Sequence, residues 1–144
     1  MDAKPPKPLM DARSVRFELA AMAVLLLGGY VFPHGFWVIP GLAVILAVGL
    51  GFGARANAFG RIFQLVLADR LEPAPATEPA TEVRFSELFA LLVLTLATLL
   101  YAMGASVLAW PIALVEAGIC ALHASTGISL ETAVRDRLTG RGRP

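Results

Sequence analysis

Charged residues are scarce in this chain, and that scarcity indicates the class of protein. Asp, Glu, Lys and Arg make up 16% of the 144 residues, whereas hydrophobic residues make up 57%. A soluble domain carries about 25% charged residues. The composition therefore predicts a protein embedded in the lipid bilayer, and the length predicts one domain over residues 1–144.

Cysteine and net charge are also low. The one cysteine, Cys120, cannot form an internal disulfide. The formal net charge is +1 and basic residues are not interleaved with aromatic ones, which argues against a nucleic-acid partner. The stretch "GLGFGARANAFG" contains G-x-G but ends an apolar run, so it is not a dinucleotide motif. We predict no catalytic residues and no cofactor.

Four apolar runs dominate the remaining sequence. Crossing a bilayer takes about 20 residues, and with their flanks the runs predict spans over about 15–32, 36–54, 85–103 and 106–128. Only "PHG" separates the first two runs and only "GAS" the last two. The fold class predicted is an all-α, four-span membrane bundle of two antiparallel hairpins.

The basic residues predict the orientation of the bundle. All twelve lie before the first apolar run, between the second and third runs, or after the fourth. They are Lys4, Lys7, Arg13, Arg16, Arg55, Arg61, Arg70, Arg84, Arg135, Arg137, Arg141 and Arg143. Because positive residues stay on the cytoplasmic side, both termini and the middle segment are predicted to be cytoplasmic.

The middle segment joins the two hairpins. "NAFGRIFQLVLADRL" has apolar residues at helical spacing and predicts an amphipathic helix on the cytoplasmic leaflet over about 57–71. "EPAPATEPATE" predicts an extended Pro-rich linker over residues 72–82. The alternative for both parts is a simple tether.

The sequence V-R-F occurs just before the first and third apolar runs. Arg16 with Phe17, and Arg84 with Phe85, fit interface anchors, as does Trp37 in the aromatic stretch after the first turn. Duplication of a hairpin would explain the repeated V-R-F. The alternative is that both copies mark a place where the chain enters the membrane.

The fourth span carries a polar face. Glu116, Cys120 and His123 are spaced i, i+4 and i+7, which places them on one side of a helix. They are expected to point into the bundle, with Glu116 largely neutral. Three interpretations stay open: hydrogen bonds between helices, a functional polar site, or a metal or haem site. The last is disfavoured because His34 and His123, the only histidines, belong to opposite membrane faces.

Small residues predict close helix contacts. Gly49 and Gly53 form G-x-x-x-G on the second span, and Gly118 lies beside the polar face of the fourth.

Three stretches resemble a known family. "MDARSVRF", "NAFGRIFQLVLADRLEPAPATEPATEVRF" and "ALHASTGIS" are similar to segments of the bacterial small integral membrane proteins of domain of unknown function family 4395. The resemblance implies a four-span fold in the cytoplasmic membrane, and no settled activity. Family members commonly end the fourth span with G-x-C-x-G-C. Here Ser129 and Thr132 stand at the cysteine positions, so the dithiol chemistry of a C-x-x-C pair is lacking.

Two functions are consistent with these features. The first is a non-enzymatic accessory or scaffolding subunit, whose partners are the lipid bilayer and other membrane proteins. The alternative is a membrane component of thiol or sulfur redox chemistry, working with a thioredoxin-like or sulfurtransferase partner.

Overall fold

Four long helices form the protein. The computed structural model describes residues 9–53, 57–70, 77–127 and 130–140. The helices are α1 (Ala12–Val31), α2 (Val38–Phe52), α4 (Ala80–Ala102) and α5 (Ser106–Thr126). A 3-10 turn, Gly35–Trp37, precedes α2. With that turn added to α2, all four are long and apolar enough to cross a membrane, which confirms the prediction of a multi-pass membrane protein.

Two shorter helices, α3 (Ala58–Val66) and α6 (Leu130–Leu138), follow α2 and α5. Where the sequence predicts a helix over 57–71, α3 ends at Val66 and a 3-10 turn follows at Ala68–Arg70. The side chains of Phe59 and Phe63 on α3 are buried, and the Phe63 ring lies 5.7 Å from that of Phe17 on α1. One side of α3 therefore packs against the bundle rather than against lipid.

The long helices pack across the two halves of the chain. The most extensive contacts join α1 to α5, α4 to α5, and α2 to α4, whereas α1 and α2 touch only sparsely. The buried core between them includes Met22, Leu26, Ile39 and Leu94. Helices α4 and α5 of the second half thus pack closely on each other, whereas α1 and α2 pack mainly against helices of the second half.

A two-stranded antiparallel sheet, which the sequence did not indicate, accompanies the helices. Strand β1 (Leu9–Asp11) pairs with β2 (Thr77–Pro79), and Met10 is the partner of Glu78. The residue before a proline is biased to extended backbone, which favours the strand conformation at Glu78. The predicted linker therefore ends in β2 and the first turn of α4, and its residues 72–76 lie outside the described part.

The two halves of the chain repeat the same order of elements. Strand β1 leads into α1, α2 and α3, and β2 leads into α4, α5 and α6. Aligning the two V-R-F sequences makes five buried positions coincide. These pairs are Val15 and Val83, Glu18 and Ser86, Met22 and Ala90, Leu26 and Leu94, and Gly29 and Ala97. The shared order of elements is compatible with duplication of a β-α-α-α unit, and the coinciding buried positions follow from the helical period of the two inward faces.

Candidate functional site

A buried polar network joins three helices where α1 and α4 begin. The Nδ2 group of Asn57 donates a hydrogen bond of 2.8 Å to Oε2 of Glu18 on α1. The same nitrogen lies 3.4 Å from Oε1 of Glu87 on α4. Glu18 is 6% exposed and Asn57 9% exposed. A carboxyl buried this far from water needs such a donor, because an unsatisfied buried acceptor is costly.

Asn57 holds its place because it is also the N-cap of α3. Its Oδ1 accepts hydrogen bonds from the backbone N–H of Phe59, at 3.0 Å, and of Gly60, at 3.2 Å. Capping in this way satisfies two of the free amides at a helix start. One side chain thereby couples the beginning of α3 to carboxyls on α1 and α4.

Two cavities meet at Glu18. The larger, about 630 Å³, lies between β1, the start of α1, and α3, and Glu18, Asn57 and Arg61 are among its lining residues. The smaller, about 20 Å³, lies deeper and is lined by Glu18, Ser86 and Glu87 together with apolar side chains. A void of about 10–15 Å³ on this measure is enough for one water molecule. Glu18 therefore lines both a large open cavity and a small one between α1 and α4.

The two V-R-F arginines occupy matching places at helix ends. A Cβ built on Gly127, the left-handed C-cap of α5, would lie 2.5 Å from Nη2 of Arg16. A Cβ built on Gly53, the C-cap of α2, would lie 3.9 Å from Nη2 of Arg84. Each guanidinium thus lies by the C-terminal end of a helix from the other half, where the helix dipole favours a cation.

The polar face predicted on α5 is buried. Exposure is 1% for Glu116, 0% for Cys120 and 3% for His123. The Sγ atom of Cys120 lies 3.5 Å from Oε1 of Glu116. Nε2 of His123 lies 3.7 Å from Oε2 of Glu78 on β2. The face therefore divides into an inner acid–thiol pair and a histidine directed at the sheet.

The other predicted residues are distributed over both ends of the bundle. Phe85 lies under the guanidinium of Arg135, 5.5 Å from ring centroid to Cζ. Trp37 is 76% exposed. A Cβ on Gly49 would lie 3.8 Å from Cα of Asn57, whereas one on Gly118 would meet open space. Ser129 lies outside the described residues, and of Thr132 only the backbone, in α6, is described.

Aromatic rings cluster where α1 and α4 end. The rings of Phe36 and Tyr101 are stacked, and Tyr30 and Trp110 meet edge to face with centroids 5.3 Å apart. Phe36 also approaches Trp110. This aromatic group lies at the end of the bundle opposite the Asn57 network.

Sequence reasoning did not single out the members of the Asn57 network. Its signals were present, since Asn57 precedes an amphipathic stretch, as an N-cap does, and a Glu follows each V-R-F. Within the described part of the chain, no three His, Cys, Asp or Glu side chains lie close enough to hold a metal ion. Through Asn57 the network donates hydrogen bonds to carboxyls and accepts them from backbone amides.

The fold and this network define a small multi-pass membrane protein built from two β-α-α-α units with a polar centre at one end. The chain belongs to the family described as domain of unknown function DUF4395, whose sequence model matches residues 10–138. The match begins in β1 and ends at the last residue of α6, and it confirms the resemblance seen in the sequence. Neither a curated protein nor a solved structure matches the chain.

Proposed function

We propose that this protein resides in a bacterial inner membrane as two helical hairpins, with both termini, α3 and α6 on the cytoplasmic side. The placement of all twelve basic residues outside the two short turns supports this orientation. The aromatic cluster at the other end of the bundle suits the outer membrane interface, where such side chains are enriched. In this orientation the Asn57 network lies toward the cytoplasm.

We further propose that it is a non-enzymatic accessory subunit that binds other membrane proteins. The observation that carries this proposal is the outward face of α5, where Gly118, Ala121 and Ser125 are exposed. Lipid contact alone does not require small residues, whereas a neighbouring helix can approach closely only where side chains are small. The partner we propose is therefore a transmembrane helix of another protein.

The alternative function, thiol or sulfur redox chemistry, draws less support. Cys120 is fully buried and lies against Glu116. A redox thiol that serves a soluble partner needs access and thiolate character, and a carboxyl neighbour favours neither. Reversible oxidation of Cys120 in native membranes, linked to one soluble protein, would restore this alternative.

Two matched glycine variants test the accessory role. A Cβ added at Gly118 on α5 or at Gly41 on α2 would meet no other part of the described chain within 4 Å, apart from the neighbouring backbone of its own helix. Gly118→Leu should abolish crosslinking to a membrane partner in native membranes, measured by mass spectrometry, whereas Gly41→Leu should preserve it. Retention of the same partners by both variants, or the recovery of lipids only, would contradict the proposal.

A further inference from the structure

The cavity beside Asn57 carries charged and polar side chains on both walls and is bounded by elements that the network holds together. Its walls come from β1 and the start of α1 on one side and from α3 on the other. Because Asn57 caps α3 and also binds Glu18 on α1, the two walls are connected through one side chain. A volume of about 630 Å³ lies within the range of about 300–1,000 Å³ that holds small ligands.

The two walls have opposite chemistry. Asp11 and Glu18 supply carboxylate acceptors from the β1–α1 side. Arg61 and Gln64 supply donors from α3, and Arg61 is exposed whereas Glu18 is buried. The acidic group is thus deepest and the basic group outermost.

We propose that this cavity binds a small zwitterion, a primary ammonium group linked to a phosphate. The ammonium would donate to Glu18 and Asp11, because an N–H cation and a carboxylate form a strong charge-assisted hydrogen bond. The phosphate would face Arg61, whose planar guanidinium binds phosphate oxygens in pairs. This inference is independent of the partner-binding face of α5.

Other ligand classes fit the walls less well. A divalent cation prefers a cage of oxygen ligands alone, and the guanidinium of Arg61 opposes it. An anion without an ammonium would face two carboxylates. Two molecules carry an ammonium linked to a phosphate: a phospholipid with an ethanolamine head group, and free phosphoethanolamine. The cavity lies at the end of a candidate membrane span, where either could reach it.

Binding to the purified full-length protein in detergent distinguishes these possibilities. The probes are phosphatidylethanolamine, phosphatidylcholine with the same acyl chains, and free phosphoethanolamine, each followed by native mass spectrometry. Phosphatidylcholine has a trimethylated nitrogen without N–H donors, so it should bind at least about tenfold more weakly than phosphatidylethanolamine. Glu18→Gln should remove this preference, whereas the matched variant Glu82→Gln, which lies outside the cavity lining, should keep it.

Arg61→Gln provides a second test that does not depend on the fold tolerating a change at Glu18. Arg61 is exposed, and its replacement should weaken the binding of phosphatidylethanolamine and of free phosphoethanolamine by about tenfold. Binding of phosphatidylethanolamine alone would identify a lipid ligand, and comparable binding of free phosphoethanolamine a soluble one; both support the proposal. Equal binding of the two lipids, absence of binding by all probes, or indifference to Arg61→Gln would overturn it.

Discussion

Replacing Asn57 by Ala should release α3 from the bundle. The change removes the acceptor for the amides of Phe59 and Gly60 and the donor to Glu18. Loss of an N-cap costs about 0.5–2 kcal/mol, and a buried acceptor left without its donor costs about 1–3 kcal/mol. Taken together, the free energy of unfolding should fall by about 1.5–5 kcal/mol.

Asn57→Ser separates the two contributions. Serine is as good an N-cap as asparagine, but it has no amide group to donate to Glu18. Its cost should therefore be about 1–2 kcal/mol, smaller than that of the Ala variant. The free energy can be measured by SDS-induced unfolding in mixed micelles, and the cap by hydrogen exchange at the amides of Phe59 and Gly60.

Exchange at those two amides should accelerate in the Ala variant and stay slow in the Ser variant. An exposed residue on the same helix, Ile62, gives a control through Ile62→Ala, which removes neither hydrogen bond. The coupling assigned to Asn57 would be refuted if the free energy of unfolding of Asn57→Ala were within about 0.5 kcal/mol of that of the unmodified protein. That difference is the scale of ordinary surface substitutions.

Membrane orientation, the Arg16 contact and the buried acid Glu116 each permit a further test. Reporter fusions at the two short turns should report outside, and those in the middle segment and at the C-terminus inside; an outside signal from the middle segment would exclude the two-hairpin topology. The turn sites are Pro33 and Gly104. The site in the middle segment is Pro75 and the C-terminal site is Pro144, and both lie outside the described residues. Gly127→Ala should lower the free energy of SDS-induced unfolding by about 1–2 kcal/mol, because the left-handed backbone at this position disfavours a Cβ. It should lower it further because the new Cβ displaces the side chain of Arg16. The double variant Gly127→Ala with Arg16→Ala should lose less free energy of unfolding than the two single variants added together. Strict additivity would show that the contact between Arg16 and Gly127 contributes nothing. Glu116→Gln should leave the same unfolding curve nearly unchanged, whereas Glu116→Leu should cost about 0.6–2 kcal/mol; a tolerated Leu would mean that no buried hydrogen bond is lost.

The candidate site illustrates where sequence reasoning stopped. Glu116, Cys120 and His123 could be grouped from their spacing because they share one helix. Asn57 could not be grouped with its partners, since Glu18 is 39 positions and Glu87 30 positions away along the chain. Their meeting depends on how three separate helices pack, which no local spacing records.

The V-R-F arginines show the same division. Their position before apolar runs predicts a place at the membrane interface. That Arg16 lies against the last residues of α5, and Arg84 near the last residue of α2, depends on antiparallel packing between the two halves. The V-R-F repeat was visible in the sequence. The matching buried positions on α1 and α4 were seen only in the structure.

Sequence by itself determined the four long apolar helices and the family. A bilayer offers backbone groups no water, and a long apolar helix satisfies its backbone hydrogen bonds within one segment, so hydropathy along the chain records where such helices lie. Only the tertiary structure decided which apolar side chains face inward: Leu26 is 0% exposed and Val24 68%, although both are aliphatic. Lipid tails are as apolar as the core, so hydropathy cannot separate the two faces, and small residues, buried polar groups and side-chain shape decide the packing.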